Sequence, residues 1–522
     1  MKTPGTIAVT PSADPYQLTI GQLLHTARAT AAEQQIVYGE HFRYRYRDFF
    51  ERVQRFGALI RALALQGETI AFMDWDSHRY LEAFFAVPMS GSVLQTVNIR
   101  LSPEQILYTL NHARARAVFV HADFLPMLET LRDKLETVTT FVLLSDSAMA
   151  TPRGFDGNYD DLLQAQNPDF DFPDLDEHTR ATTFYTTGTT GLPKGVYFSH
   201  RQLVLHTLSL IGGLGLAPQQ GRFHRDDVYM PLTPMFHVHA WGMPYAATLA
   251  GVKQVYPGRY VPDTILRLHA SERVSFSHCV PTILHLLLNA PQAAEVNLQG
   301  WKVIIGGSAL PTALAQAALN RGIDVFTGYG MSETCPILTL AQVASADLGD
   351  GDVSVRTKTG RPNVLVDLRV VTPELQPLPH DGKSVGEIVV RAPWLTQGYL
   401  DNPVSSETLW EGGWLHTQDI GHIDQRGYLQ VTDRIKDVIK TGGEWVSSIE
   451  IEDILGRHPA VAEVAVIGVK DDKWGERPMA FVVLKNDQTA SEADLKAHMQ
   501  AYVDQGHLSR FGIPDRICFR SS

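Results

Sequence analysis

Three cysteines in 522 residues, Cys279, Cys335 and Cys518, are too few, too widely spaced and the wrong parity for a disulfide framework or a thiolate metal site. They are expected to be reduced and mostly buried. Also missing is any run approaching the ~18 apolar residues that a bilayer span needs, and Met1–Asp14 has no apolar stretch of the secretory kind. A cytoplasmic protein without signal peptide or transmembrane helix is expected. No block of consecutive Lys/Arg occurs and the formal net charge is -12, which speaks against nucleic acid or an anionic membrane as partner. Anionic ligands must then be met locally, by glycine-rich turns, helix N-termini and single basic side chains.

What is present is an ordinary globular composition, 44% hydrophobic and 20% charged, in a chain too long for a single core. Helical periods alternate with short β-branched runs, the pattern of α/β layers around mainly parallel sheets. Ser102-Pro103-Glu104-Gln105 combines an N-cap, a first-turn proline and a capping-box glutamine. Ile106, Leu107 and Leu110 then make one apolar face before Ala117–Val120 reads as a buried strand, and the alternation runs on through Val303–Ile305. At Asp433–Asp437 the chain becomes charged and hinge-like. A boundary there divides it into 1–432 and 433–522, the second part a small α+β pattern. In it Ser447 and Glu450 cap a helix, Val461–Val469 and Met479–Leu484 read as strands, and Ser491–Tyr502 reads as a helix.

Thr182-Thr183-Phe184-Tyr185-Thr186 reads as a strand that enters Thr187-Gly188-Thr189-Thr190-Gly191, followed by Leu192-Pro193-Lys194-Gly195. Glycines let backbone N–H groups approach an anion, threonine hydroxyls can donate to phosphate or meet a hydrated magnesium ion, and the lysine adds a movable positive charge. The spacing is not that of a Walker A loop. This segment resembles the signature loop of the adenylate-forming superfamily, which includes acyl-CoA synthetases, luciferases and nonribosomal adenylation domains. Further matches follow in family order over roughly residues 20 to 515.

The resemblance implies an α/β fold. A large N-terminal domain of doubly wound sheets with a small β-barrel-like part would bind ATP and the acyl group, and a small mobile α+β domain would form the lid. It implies ATP, Mg2+ and coenzyme A as cofactors or substrates, a carboxylic acid as the other substrate, and allows a homodimer. Gly306-Gly307-Ser308 resembles the adenine-side loop, and Gly328-Tyr329-Gly330-Met331-Ser332-Glu333 the segment lining the nucleotide. Glu333 would share the metal with Thr186. Asp419 would hold the ribose, although Gln418 stands where the family pattern has glycine; Arg434 would lie on the ribose side, and Lys436 at the hinge.

Lys440, Gly442, Gly443, Glu444 and Trp445 resemble the medium- and long-chain fatty acyl-CoA synthetases, with Trp445 a candidate for gating the nucleotide and the stretch as a whole facing CoA. Pro234–Gly242 resembles the strand lining their acyl pocket. Phe236, His237, Val238 and the candidate gate Trp241 come from it, His237 near the reacting carboxylate, with Phe276, Cys279, Val280 and Gly330 completing the wall. On a strand His237 and His239 would share a face, but no third metal ligand is spaced to join them. Amino-acid activators carry an aspartate near the start of this segment; Phe236-His237-Val238 offers no anion, so an uncharged acyl tail is expected.

Carboxylate attack on the α-phosphorus of ATP would leave a bound acyl-AMP, and the CoA thiol would then displace AMP after rotation about Lys436. Family members end in Pro-x-x-x-x-Gly-Lys, whereas no lysine follows Lys496 before Arg520-Ser521-Ser522. Weak adenylation with surviving thioester formation is expected on that ground. Other expectations are a ligase for a short, branched, sulfur-containing or aromatic acid, and a protein that binds acyl-AMP or ATP without adenylating.

Overall fold

The computed structural model describes all residues except 1–4, 6, 41, 187–191, 218–219, 345–348, 350–351, 437, 442–443, 472, 486–487, 506–507 and 521–522. It divides into two compact units. The first comprises Met1–Val325, Gly330–Ile337 and Pro393–Pro403; the second comprises Phe326–Tyr329, Leu338–Ala392 and Val404–Ser522.

The first unit contains a seven-stranded sheet in the order Gly157–Asn158, Thr140–Leu144, Ala115–His121, Thr69–Met73, Val93–Thr96, Arg180–Thr186, Lys194–Ser199. All neighbours are parallel except the last pair, an antiparallel hairpin. Thr69–Met73 is buried at every residue, as expected of a parallel strand covered on both faces. A second set of strands runs Lys302–Ile305, Phe276–Cys279, Val228–Pro231, Lys253–Tyr256, Gln35–Tyr38, all parallel, with Phe42–Arg45 antiparallel at its edge.

Local signals in the sequence account for the elements between these strands. Helix Pro103–His112 begins at a reciprocal capping box in which Ser102 Oγ accepts the Gln105 N–H at 3.3 Å and Gln105 Oε1 accepts the Ser102 N–H at 3.3 Å. Its Ile106 and Leu110 are fully buried, and strand Ala115–His121 follows. Beneath the sheet Glu82, with no exposed surface, accepts from Tyr44 Oη at 3.0 Å, Tyr159 Oη at 2.6 Å and Arg52 Nε at 2.7 Å, so a buried charge is paired and hydrogen-bonded.

The second unit holds an antiparallel four-stranded sheet, Asp367–Val371, Gly386–Arg391, Leu415–Ile423, Leu429–Arg434. It also holds a five-stranded sheet built from Ile439–Thr441, Glu444–Val446, Val461–Asp471, Gly475–Leu484 and Arg516–Phe519, with helices Ser448–Gly456 and Glu492–Asp504. Ile439, Ile451, Leu455, Ala480, Val482, Leu495 and Met499 are buried together there as a separate core. Ser447 caps the first helix by accepting the Glu450 N–H at 3.1 Å.

Candidate active site

The strands on either side of the Thr/Gly segment pair antiparallel, with Thr186 opposite Lys194. Thr187, Gly188, Thr189, Thr190 and Gly191 lie outside the described residues. Its two shoulders are fixed. Thr186 Oγ1 is 3.5 Å from the Lys194 carbonyl oxygen, and Lys194 Nζ stands 4.7 Å from the ring centroid of Tyr399. The Tyr399 hydroxyl donates to Glu333 Oε1 at 2.7 Å, so one phenol lies between the lysine and the carboxylate. Glu333 is 7% exposed, and its carbonyl accepts the Thr396 N–H at 3.0 Å. Tyr399 had no signal in the sequence, because it meets Glu333 from 66 residues away.

Around Glu333 the glycine pattern has a steric cause. A Cβ at Gly330 would fall 1.7 Å from the Pro336 carbonyl oxygen, so no other residue fits without moving backbone. Met331 donates its N–H to Thr334 Oγ1 at 3.0 Å, and Ser332 opens the single turn Ser332–Thr334. The Gly306-Gly307-Ser308 loop lies against the expected acyl wall: Gly306 donates its N–H to the Cys279 carbonyl at 3.1 Å, and a Cβ on Gly307 (φ 78°) would stand 3.1 Å from Val280. Ser308 is exposed.

The acyl segment departs from expectation. Pro234–Gly242 is not a strand but a tight turn in which Val238, His239, Ala240 and Trp241 have φ of 48°, 55°, 47° and 58°. Left-handed backbone costs a non-glycine residue roughly 1–2 kcal/mol, a conformation no periodicity would suggest for four such residues in succession. His237 and His239 therefore share no strand face. His237 keeps exposed surface but lies in a crowded recess, where burial and then the charge of Arg100 hold its imidazole below the ordinary value. His239 is fully buried, and burial drives its imidazole to about 3. Phe236 is buried with the Arg100 guanidinium 6.0 Å from its ring centroid, and the Trp241 ring lies 5.0 Å from that of His278. Phe276 and Cys279 are fully buried on the neighbouring strand, and burial pushes the Cys279 thiol up to about 12.

This location follows from topology. Strand Val228–Pro231 connects onward to the strand on one side of it, whereas Phe276–Cys279, on its other side, connects away in the opposite direction. The carboxyl ends of two such strands leave a crevice, the usual ligand position in doubly wound sheets.

In the second unit Asp419 is opposite Arg434 on adjacent strands, with Arg434 Nε 3.3 Å from Oδ1, and Tyr329 Oη donates to Oδ2 at 2.7 Å. Gly328 precedes this tyrosine on strand Asp324–Gly330. Asp419 is 7% exposed; burial raises its pKa, and the Tyr329 and Arg434 contacts oppose that shift. Gln418, where the family pattern has glycine, adopts φ 59° with its N–H 3.3 Å from Glu387 Oε1 and its carbonyl accepting the Ile435 N–H at 2.9 Å. The backbone that glycine would take freely is kept here at a cost of roughly 1 kcal/mol, and the aspartate keeps its place.

Lys436 is exposed in the turn after strand Leu429–Arg434, and Lys440 pairs with Trp445 in the ladder of Ile439–Thr441 with Glu444–Val446. Gly442 and Gly443 lie outside the described residues, and Glu444 and Trp445 are described for their backbone alone.

Two doubly wound sheets followed by a smaller antiparallel sheet and an α+β part define an adenylate-forming enzyme. The chain belongs to the AMP-binding enzyme family, which matches residues 23–400, and the AMP-binding enzyme C-terminal domain matches residues 450–522. Within that family it is an AMP-forming acyl-CoA ligase, an acid–thiol ligase with ATP, CoA and a carboxylate as substrates. It is 38% identical over 516 residues to a long-chain-fatty-acid–CoA ligase of Thermus thermophilus, covering 96% of this chain and 92% of that one. To a 3-methylmercaptopropionyl-CoA ligase of Ruegeria pomeroyi it is 37% identical, covering 90% and 86%. A Mycobacterium tuberculosis fatty acyl CoA synthetase superposes with a TM-score of 0.74 at 26% identity, covering 96% of this chain and 94% of that one. Among the described residues no helix is long and apolar enough to cross a membrane.

Proposed function

We propose that the acid is a medium- or long-chain fatty acid. The observation that supports this is that Phe236, Val238, Trp241, Phe276 and Cys279, the residues read as the acyl wall, are uncharged and buried. The carboxylate beside it, Asp76, accepts from the Met235 N–H and the Tyr260 hydroxyl.

In this reading Lys194 and the hairpin loop hold the phosphates of ATP, Gly306–Ser308 and Gly328–Ser332 border the adenine, and Asp419 with Arg434 fixes the ribose. Thr186 and Glu333 offer the hard oxygen donors that Mg2+ takes, and that ion would neutralise charge on the pyrophosphate. His237, held neutral, can donate to or accept from the reacting carboxylate without competing for its charge. Residues 433–522 form the CoA-side lid, turning about Lys436, with Lys440–Trp445 facing the pantetheine. A cytoplasmic setting suits soluble ATP and CoA. A short sulfur-containing acid is the second reading, favoured by the near-equal likeness to the Ruegeria pomeroyi enzyme.

The test is acyl-CoA formation from straight-chain acids between butyrate and palmitate, beside 3-methylthiopropionate and benzoate, each also supplied as ready-made acyl-AMP with CoA. The expected optimum is octanoate or longer, by about tenfold or more over butyrate, since each buried methylene contributes about 0.8 kcal/mol. Preference for 3-methylthiopropionate or benzoate overturns the fatty-acid reading. Acyl-AMP bound but not converted would move the protein to a binding role.

A further inference from the structure

We infer that Asp76 and Thr96 are positioning residues that clamp the backbone of the acyl-facing turn from the opposite sheet. The functional part of this inference rests on the acyl reading of Phe236–Trp241 given above.

Asp76 follows strand Thr69–Met73 and Thr96 ends strand Val93–Thr96, neighbours in the seven-stranded sheet. The turn they hold follows strand Val228–Pro231, which belongs to the other sheet. Asp76 Oδ1 accepts the Met235 N–H at 2.8 Å, and the Thr96 hydroxyl donates to the Phe236 carbonyl at 2.9 Å. Consecutive residues are thus gripped once through a donor and once through an acceptor. Asp76 is itself fixed, because Tyr260 Oη donates to Oδ2 at 2.6 Å and Gly258 donates its N–H to the Asp76 carbonyl at 3.0 Å. Both gripping residues are buried, Asp76 at 4% exposure and Thr96 at 1%.

The clamp has something to restrain. After His237 come the four left-handed residues, and His239 among them is buried with no hydrogen-bond partner among the described residues on either ring nitrogen. Backbone of this kind persists only where surrounding structure over-determines it. Met235 and Phe236 stand at the start of the turn, just ahead of His237 and the left-handed run, so the two bonds set the entry direction of that run and with it the placement of His237, Val238 and Trp241.

A buried carboxylate is a costly choice for such a task. Burial pushes the Asp76 carboxyl up to about 7, with Asp74 adding to the rise and Arg100, Tyr260 and the Met235 N–H opposing it. Tyr80, Tyr229 and Tyr256 also face it. A cavity of about 20 Å3, lined by Asp74, Asp76, Arg100, Phe236 and Tyr260 among others, gives the group room for roughly one water. The clamp does not need the charge. A protonated carboxyl, or an asparagine, can still accept from Met235 on one oxygen and donate to Tyr260 Oη from its other atom.

The test combines amide exchange with kinetics in the full chain. Asp76→Ala should speed exchange of the peptide spanning Pro234–Gly242 at least tenfold over the rest of the first unit. It should also raise the half-saturating concentration of octanoyl-AMP in thioester formation about tenfold, with that for CoA within twofold. Thr96→Val, nearly the same shape, should do the same more weakly, and Asp76→Asn should restore both readouts. If Asp76→Ala does not fold, Thr96→Val and Asp76→Asn carry the comparison. Unchanged exchange in folded Thr96→Val, or no rescue by Asp76→Asn, overturns the clamp. Faster exchange in a protein inactive on every fatty acyl substrate would instead leave the clamp standing and overturn the acyl reading.

Discussion

At the scale of single residues, some of the chain's costly choices fall on the segments described above. Gln418 and the run Val238–Trp241 adopt left-handed backbone without glycine, and Asp76 is a carboxylate with little water. Asp76 has a thermodynamic signature. Burial raises its folded-state pKa to about 7 from the ordinary aspartate value of 3.8, so between these pH values the folded state binds more protons than the unfolded one. Stability from this group is intact below about pH 4 and is lost as pH rises to 7. Asparagine cannot ionise. The stability advantage of Asp76→Asn over the parent should therefore grow across that window and level off above it, by at most about 4 kcal/mol. Urea denaturation at several pH values checks this; a constant difference would mean that the hydrogen bonds to Asp76 offset the cost of its burial and leave its pKa ordinary. None of this was legible from the sequence, because Asp76 meets Met235 from 159 residues away. Thr186, Lys194, Glu333 and Asp419 could be proposed from the sequence because each sits in a short local motif that resembles one of the family's.

At the scale of elements, capping chemistry was the readable part. The Ser102/Gln105 box and the Ser447 cap both stand at the helix starts they predict. The sequence does not reveal that the second helix is capped again from a distance. Asp433, 1% exposed, accepts from the Ser448 N–H at 2.7 Å, Ser448 Oγ at 2.9 Å and Ser447 Oγ at 3.2 Å. Asp433→Ala leaves the Ser448 N–H and Oγ without this acceptor in a buried place, while Ser447 Oγ keeps the Thr432 carbonyl at 2.8 Å, at a cost of about 2–3 kcal/mol. Amide exchange across Ser448–Gly456 should rise about thirtyfold or more; a change below threefold would mean that Ser447 suffices alone. The misreading of Pro234–Gly242 as a strand arises at the same scale. The strand was what the resemblance to the fatty-acid branch implied, but a turn this tight is held by Thr96 and Asp76 from another sheet, and local pattern carries no trace of that.

At the scale of the whole molecule, composition and alternation of periods announced an α/β protein, and the two doubly wound strand sets bear that out. The thiols follow from the same burial. Cys279 and Cys335 have no exposed surface and burial raises both, whereas Cys518 is partly exposed on the last strand. The native protein should react with a thiol reagent at about one cysteine and, once denatured, at all three. Rapid modification of two or more in the native state would mean that the strand Phe276–Cys279 or the segment at Cys335 opens readily.

The sequence by itself determined the fold class and the helix caps, since these depend on side chains within a few positions of one another. Tertiary structure alone decided which strands are neighbours, where the crevice between diverging connections falls, that Tyr399 stands between Lys194 and Glu333, and that the acyl segment is a left-handed turn. Each of these depends on contacts between residues far apart in the chain, where burial and hydrogen bonding override the local preference of the backbone.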